Sequence, residues 1–192
     1  MQEPFKIFDQ WYQEALKKCP EPTAMALATV GEDGIPSNRM VLLKDFDESG
    51  FVFYTNLTST KGKELAQSPG AALCFHWLEM EKQVRIRGPV VQVSDEEADE
   101  YFASRPKQSQ IGAWASKQSQ EMEGKLDLEK RVAKYALKFN IGKIPRPKFW
   151  SGFRVIPTTI EFWQKKPFRL HQRQIFKRED ANSDWTSGYH FP

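Results

Sequence analysis

The chain has 192 residues, 40% hydrophobic and 28% charged, with a net charge of +3. That length and balance suit one ordinary globular domain (residues 1–192) with a substantial core, and the charge is too small to argue for nucleic acid. Two cysteines, Cys19 and Cys74, build no disulfide framework, and neither has a Cys or His neighbour at metal-ligand spacing, so no metal is expected.

No apolar run approaches the roughly 18 residues that span a bilayer. The start, Met-Gln-Glu-Pro-Phe-Lys, has no signal-peptide character. A cytosolic protein without a membrane partner is expected. Aromatics reach 13%, with six Trp and fourteen Phe, more than a small core requires. Rings that line a flat ligand or an oligomer interface would account for the excess.

In chain order, residues 4–19 place Phe5, Phe8, Tyr12, Ala15 and Cys19 at helical spacing, with Lys17 and Lys18 in the last turn and Pro20 as a stop. Met25–Val30 reads as a strand, Asp33-Gly34 as a turn and Asn38–Leu43 as the returning strand. Asp47–Gly50 signals another turn before a strand at Phe51–Asn56. The stretch from Arg39 to Lys61 therefore reads as two buried strands joined by a tight turn and followed at once by a helix start. A helix over residues 58–67 ends at Ser68-Pro69-Gly70. Ala71–Trp77 and Gln83–Arg87 are further strands, and Val90–Val93 extends the second beyond Gly88-Pro89.

Ser94-Asp-Glu-Glu97 is a capping box that opens a helix over residues 95–104, closed by Arg105-Pro106. Residues 107–119 look like short helical turns. Residues 125–140 look like a longer helix with Leu126, Val132, Ala133, Ala136, Leu137 and Phe139 available for burial. Ile144–Lys148 is a stiff, proline-rich connector. Phe153–Ile156, Thr159–Trp163 and Gln174–Arg178 return to strand. Strands spaced this closely by turn signals predict a mostly β fold with flanking helices (α+β), an antiparallel barrel rather than a parallel sheet.

Polar side chains that are costly beside apolar strands recur: Arg39, Lys44, Lys61, Gln83, Arg105, Arg169, His171 and Arg173. Arg39 and Lys44 bound an apolar run and lie about 16 Å apart in an extended strand. Thr58-Ser59-Thr60-Lys61 combines free helix-start N–H groups, hydroxyls and a cation, which together suit a phosphate. Taken singly, each of these side chains better suits a solvated surface. Together they suit two phosphates. No Ser-His-Asp or Cys-His pairing and no Gly-rich nucleotide loop can be read. Reactive chemistry, if present, would come from a cofactor.

The strings Arg39-Met-Val-Leu-Leu-Lys44, Phe53-Tyr-Thr-Asn56, Ser59-Thr-Lys-Gly62, Gln83-Val-Arg, Tyr101-Phe-Ala-Ser-Arg-Pro106, Ser109-Gln-Ile-Gly-Ala-Trp114, Ser116-Lys-Gln-Ser119, Glu161-Phe-Trp163 and Arg169-Leu-His171 resemble the pyridoxamine 5′-phosphate oxidase family from about residue 4 to residue 178. The resemblance implies a split β-barrel homodimer that binds FMN across its interface. It also implies oxidation of pyridoxamine or pyridoxine 5′-phosphate by O₂, giving pyridoxal 5′-phosphate and hydrogen peroxide. Carried over by motif, Arg39, Met40, Val41, Leu42, Leu43, Lys44, Tyr54, Thr55, Thr60, Lys61 and Gln83 would hold FMN. Gln118, Ser119, Trp163 and Arg173 match its other contacts, some reaching over from the partner subunit. The substrate phosphate would lie among Lys44, Tyr101, Arg105 and Ser109. Arg169, Leu170 and His171 would lie over the substrate ring, with Arg169 and His171 nearest the reacting carbon. Taken without the motif, Lys61 is an exposed helix-start lysine, Tyr101 a core helix face and Trp163 a core strand residue.

Four departures stand out. Thr60 occupies the family's usual arginine position, which removes a charged hydrogen bond of about 1.5–3 kcal/mol from the cofactor phosphate. Gln172 replaces an aspartate, so Arg169 or Arg173 is expected to lack an acidic partner. The tail ends Tyr189-His-Phe-Pro192 where the family closes with Arg-Leu-x-Pro. The chain also begins close to the first family helix, without the upstream segment that can cover substrate. Two other readings therefore accompany the oxidase: a related FMN oxidase on another aromatic substrate, as in phenazine-forming relatives, and a non-catalytic FMN or pyridoxal-phosphate binding protein.

Overall fold

Helix α1, Glu3–Lys18, opens the chain in the computed structural model, which describes residues 2–122 and 124–192. Pro4 pre-sets the first turn, and Lys17 and Lys18 complement the C-terminal end of the helix dipole. Its inward face plugs the barrel. Phe8 meets Phe46, Phe51 and Phe75 edge-on, with centroid separations of 4.8, 4.8 and 5.3 Å. Much of the aromatic excess is thus core, since edge-to-face rings fill volume and add pairwise attraction.

Ten strands follow: β1 Ala24–Val30, β2 Pro36–Leu42, β3 Asp45–Asp47, β4 Gly50–Asn56, β5 Gly70–Trp77, β6 Lys82–Gln92, β7 Trp150–Val155, β8 Thr159–Gln164, β9 Gln172–Lys177 and β10 Thr186–His190. All their pairings are antiparallel, as the close turn spacing predicts. The order is β10-β9-β8-β6-β5-β1-β2, with β3, β4 and β7 carried off the far end of β6. Residues Lys82–Arg87 of β6 pair with β8, while Val90–Gln92 pair with β7. Gly88-Pro89 therefore does not end a strand. It is where one strand changes partner and the barrel splits. A Cβ at Gly88 would stand 1.8 Å from the Ile156 carbonyl oxygen, so only glycine admits that crossing.

The expected hairpin of two buried strands after Arg39 does not form. β2 pairs with β1, and the short β3 supplies the hairpin partner of β4. β2 is an edge strand that alternates half-buried Ser37, Arg39 and Val41 with exposed Asn38, Met40 and Leu42. β10 was not expected from the sequence, because its Thr-Ser-Gly-Tyr-His run lacks a strand's apolar alternation. It pairs with β9 all the same.

Four helices flank the sheet: α2 Thr60–Gln67, α3 Asp95–Ser104, α4 Lys107–Ala115 and α5 Asp127–Lys138. Ser59 caps α2 and Ser94 caps α3, each hydroxyl accepting a backbone N–H three residues on. The expected turns after residue 106 resolve into α4. The face of α5 expected to be buried is largely open, with Leu126, Val132 and Leu137 exposed; Phe139, just past its end, joins the core of Phe102, Ile111, Ile144 and Trp150, and half-buried Ala136 packs against it. Among the described residues, no helix is long and apolar enough to cross a membrane.

Candidate functional site

Three groups of side chains carry the polar chemistry, and β4 joins the first two. Its side chains alternate faces, so Thr55 points toward α2 while Tyr54 points toward α3.

The first group lies between β1, β2 and α2. Lys61, in the first turn of α2, is 8% exposed and forms no ion pair among the described residues. Its ammonium lies 3.4 Å from Gln118 Oε1, an oxygen that also accepts from Thr55 Oγ1 at 3.1 Å. Burial, then the nearby Arg39 charge, depress the Lys61 pKa. Arg39 stands opposite Leu27 and so turns inward. Its Nη1 donates to Leu27 O at 3.2 Å, to Ser37 O at 3.3 Å and to the Thr29 hydroxyl. Its Nη2 donates to Ser37 Oγ at 2.5 Å and to Glu64 Oε2 at 3.0 Å. Burial pushes the Glu64 carboxyl up, but hydrogen bonds from Thr29 and Ser37 and the Arg39 charge outweigh it and hold the group below its ordinary value.

The second group lies between β4, β7 and α3. The Tyr54 ring stacks on Tyr101 at 4.0 Å and 17°, and on Trp150 at 5.1 Å and 10°. Gly152, opposite Tyr54, makes room for that ring, since a Cβ there would come within 2.7 Å of Tyr54 Cε1. Burial, with help from Glu97, pushes the Tyr54 phenol up to about 12. Arg105 caps the stack with its guanidinium 4.8 Å from the Trp150 ring centroid. Its Nη1 is buried and has no hydrogen-bond partner among the described residues, and burial lowers its pKa. Arg146 steadies Trp150 by donating to its carbonyl at 2.9 Å while pairing with Asp95 and Asp99 of α3. Ser109 enters the first turn of α4 beside this group, its N–H donating to Pro106 O at 2.8 Å. Lys44 is exposed just beyond β2.

The third group lies on the other arm of the sheet. Gln83, Trp163 and Arg173 stand side by side on β6, β8 and β9, and so share a face. The Trp163 and His171 rings are 4.8 Å apart, and His171 Nδ1 accepts the Lys166 N–H at 3.2 Å. Arg173 donates to both oxygens of buried Glu161, at 2.8 and 3.2 Å, and to Phe191 O at 3.0 Å. The aspartate absent at Gln172 is thus replaced for Arg173 by an acid on the neighbouring strand. Arg169 and Leu170 are exposed, and Phe168 and Arg169 both adopt left-handed φ, 58° and 61°. Among the described residues, no hydrogen bond, ion pair or ring contact joins this group to the other two.

Of the residues named from sequence, Arg39, Thr55, Lys61 and Gln118 come together, as do Tyr54, Tyr101 and Arg105. Met40 and Leu42 point outward from the edge strand, Val41 is half-buried and Leu43 is buried. Thr60 is exposed at the first position of α2, and Ser119 has φ of 67°. Sequence reasoning missed Thr29, Ser37, Glu64, Trp150 and Glu161. The only trace of Glu64 was its place three residues after Lys61 on a helix, which reads as a surface pair.

An antiparallel split barrel with a buried lysine, Lys61, and a half-buried arginine, Arg105, neither paired with a carboxylate among the described residues, beside stacked rings, defines a class of protein suited to phosphorylated aromatic ligands. The comparisons make this more specific. The family model for pyridoxamine 5′-phosphate oxidase matches residues 12–139, and the pyridoxine 5′-phosphate oxidase C-terminal dimerisation region matches residues 150–192. The chain is 57% identical over 191 residues to a pyridoxine/pyridoxamine 5′-phosphate oxidase of Brucella canis, covering 99% of this chain and 94% of that protein. It is also similar to the crystal structure of PhzG from Burkholderia lata in complex with tetrahydrophenazine-1-carboxylic acid (31% identity, TM-score 0.92, 100% and 94% coverage). A pyridoxamine 5′-phosphate oxidase-related, FMN-binding protein from Nostoc punctiforme shares the fold at 16% identity, with a TM-score of 0.79 and full coverage of both chains. The chain belongs to the pyridoxamine 5′-phosphate oxidase family.

Proposed function

We propose that this chain oxidises pyridoxamine 5′-phosphate and pyridoxine 5′-phosphate to pyridoxal 5′-phosphate, with FMN as cofactor and O₂ as the final acceptor. Water is consumed and ammonia released with the amine, and hydrogen peroxide leaves in both cases. The observation that carries the reading is the pair of desolvated cations, Lys61 and the half-buried Arg105, each without a carboxylate partner among the described residues. A buried cation left unpaired is costly, and a phosphate at each would offset that cost. FMN, when bound, supplies the hydride acceptor and returns the electrons to O₂.

The chain's own residues divide the remaining work. Lys61, Arg39, Thr55, Gln118 and the start of α2, including Thr60, suit the cofactor phosphate, with Met40–Leu43 and Ser119 alongside. Arg105, with Tyr101, Ser109 and Lys44, suits the substrate phosphate. Anchoring both molecules by their phosphates aligns the reacting carbon, and good alignment contributes about 7–11 kcal/mol. Arg169, Leu170 and His171, with Gln83, Trp163 and Arg173, would complete the site from a second copy of the chain. The isolation of that group within one subunit and the dimerisation region at residues 150–192 support a homodimer. Because His171 Nδ1 accepts a backbone N–H, its neutral ring carries its proton on Nε2, the atom left to face substrate. The free thiols of Cys19 and Cys74 suit a cytosolic setting.

The test is an anaerobic mix of FMN-loaded protein with each phosphorylated substrate, followed by exposure to air. Bleaching of the flavin, then release of peroxide and pyridoxal 5′-phosphate, is expected. Retained flavin that neither substrate bleaches would refute the oxidase. Bleaching by a reduced phenazine carboxylate alone would move the assignment to the activity class of the Burkholderia relative.

A further inference from the structure

We propose that Glu64 is a positioning residue for the cofactor phosphate, a buried carboxylate that fixes the Arg39 guanidinium against the β1–β2 edge. The proposal rests on the reading of the Lys61–Arg39 group as a phosphate cradle. Glu64 is 8% exposed on the second turn of α2. Its Oε1 accepts from Ser37 Oγ at 2.7 Å, and its Oε2 accepts from the Thr29 hydroxyl and from Arg39 Nη2 at 3.0 Å. Both terminal nitrogens of Arg39 are therefore committed to acceptors on β1, β2 and α2. The guanidinium is pre-organised, and little side-chain entropy is left to lose when an anion arrives.

The charge count makes this arrangement informative. Two cations, Arg39 and Lys61, lie near one carboxylate, which bonds Arg39 and reaches Lys61 only through space. Coulomb's law alone says that an acid beside a phosphate site weakens phosphate binding, so its removal should tighten FMN. A positioning role says the opposite. Without Glu64, the Thr29 and Ser37 hydroxyls lose their common acceptor and Arg39 loses its tie to α2, so FMN binding weakens. The two accounts differ in sign.

The experiment measures FMN and riboflavin dissociation constants by flavin fluorescence quenching on cofactor-stripped wild type, Glu64→Ala, Glu64→Gln and Ser37→Ala, with thermal unfolding of each. Glu64→Ala is expected to bind FMN about tenfold to a hundredfold more weakly, the scale of a lost charged hydrogen bond, while riboflavin affinity stays at the wild-type value. Glu64→Gln keeps an acceptor for Arg39 and is expected to recover most of the loss. Ser37→Ala, on an edge strand that tolerates change, is expected to show the same FMN-specific loss to a smaller degree and serves if Glu64→Ala does not fold. FMN binding as tight as wild type or tighter in Glu64→Ala, or equal losses for FMN and riboflavin, overturns the proposal. Wild type that does not distinguish FMN from riboflavin overturns the cradle itself, which is a separate result.

Discussion

Lys61→Met separates the cost of the phosphate cradle from its use. Lys61 is 8% exposed, its ammonium's only hydrogen bond among the described residues is to Gln118 at 3.4 Å, and its pKa lies below the ordinary 10.5. The folded state therefore holds that proton less tightly than the unfolded chain, so the charge is a net cost at neutral pH. Stability should recover as pH rises through the window between the depressed value and 10.5. Methionine keeps a flexible apolar stem and removes both the charge and that pH dependence. The cofactor-free variant is expected to melt about 2–4 °C higher for each kcal/mol relieved. Loss of a charged hydrogen bond to phosphate, about 1.5–3 kcal/mol, should weaken FMN by roughly one to two orders of magnitude. Differential scanning fluorimetry without flavin and a fluorescence titration with FMN read the two effects. A variant that binds FMN like wild type, or whose cofactor-free form melts lower, would refute the reasoning.

Arg105→Met is expected to raise KM for both phosphorylated substrates by about tenfold or more, by the same charged-bond arithmetic, with FMN affinity unchanged. Steady-state kinetics beside flavin titration checks it. Arg169→Ala should damage turnover far more than FMN retention, and equal loss of both would sink its assignment to substrate. Hydrogen bonds from Lys18, then Lys82, draw the Glu14 carboxyl down to about 2 from 4.5. Its stabilising contribution is present above pH 4.5 and fades as pH falls toward 2. Glu14→Gln should flatten that part of the acid limb in urea midpoints measured against pH. Gly88→Ala drives a Cβ into the Ile156 carbonyl and should cost about 3 kcal/mol. An unchanged unfolding midpoint would contradict the strand crossing there.

The legible parts of this protein are the local ones. The apolar spacing of Phe5, Phe8 and Ala15 foretells the buried face of α1, and the Ser94 capping box foretells the start of α3. The motif residues Lys61, Tyr101 and Arg105 could be named because their order along the chain resembles a family. Failures came where a partner far along the chain decides the outcome. The strand's continuation past Gly88-Pro89 could be read, but not that its two halves pair with different strands. Gln172 looks like a lost acid because Glu161 lies on the neighbouring strand. α5 has a helical apolar stripe, yet much of that stripe meets no core.

Sequence by itself determined the class of elements, their approximate extents and the family, because periodicity, caps and motifs act over a few residues. Only the tertiary structure decided which charges are paired. Arg39 meets Glu64 across 25 residues, Lys61 meets Gln118 across 57, and Arg105 keeps a buried nitrogen with no hydrogen-bond partner among the described residues. Burial and pairing are set by strand register and helix docking, which bring distant residues within hydrogen-bond reach and remove the water that would otherwise make every lysine and arginine look alike.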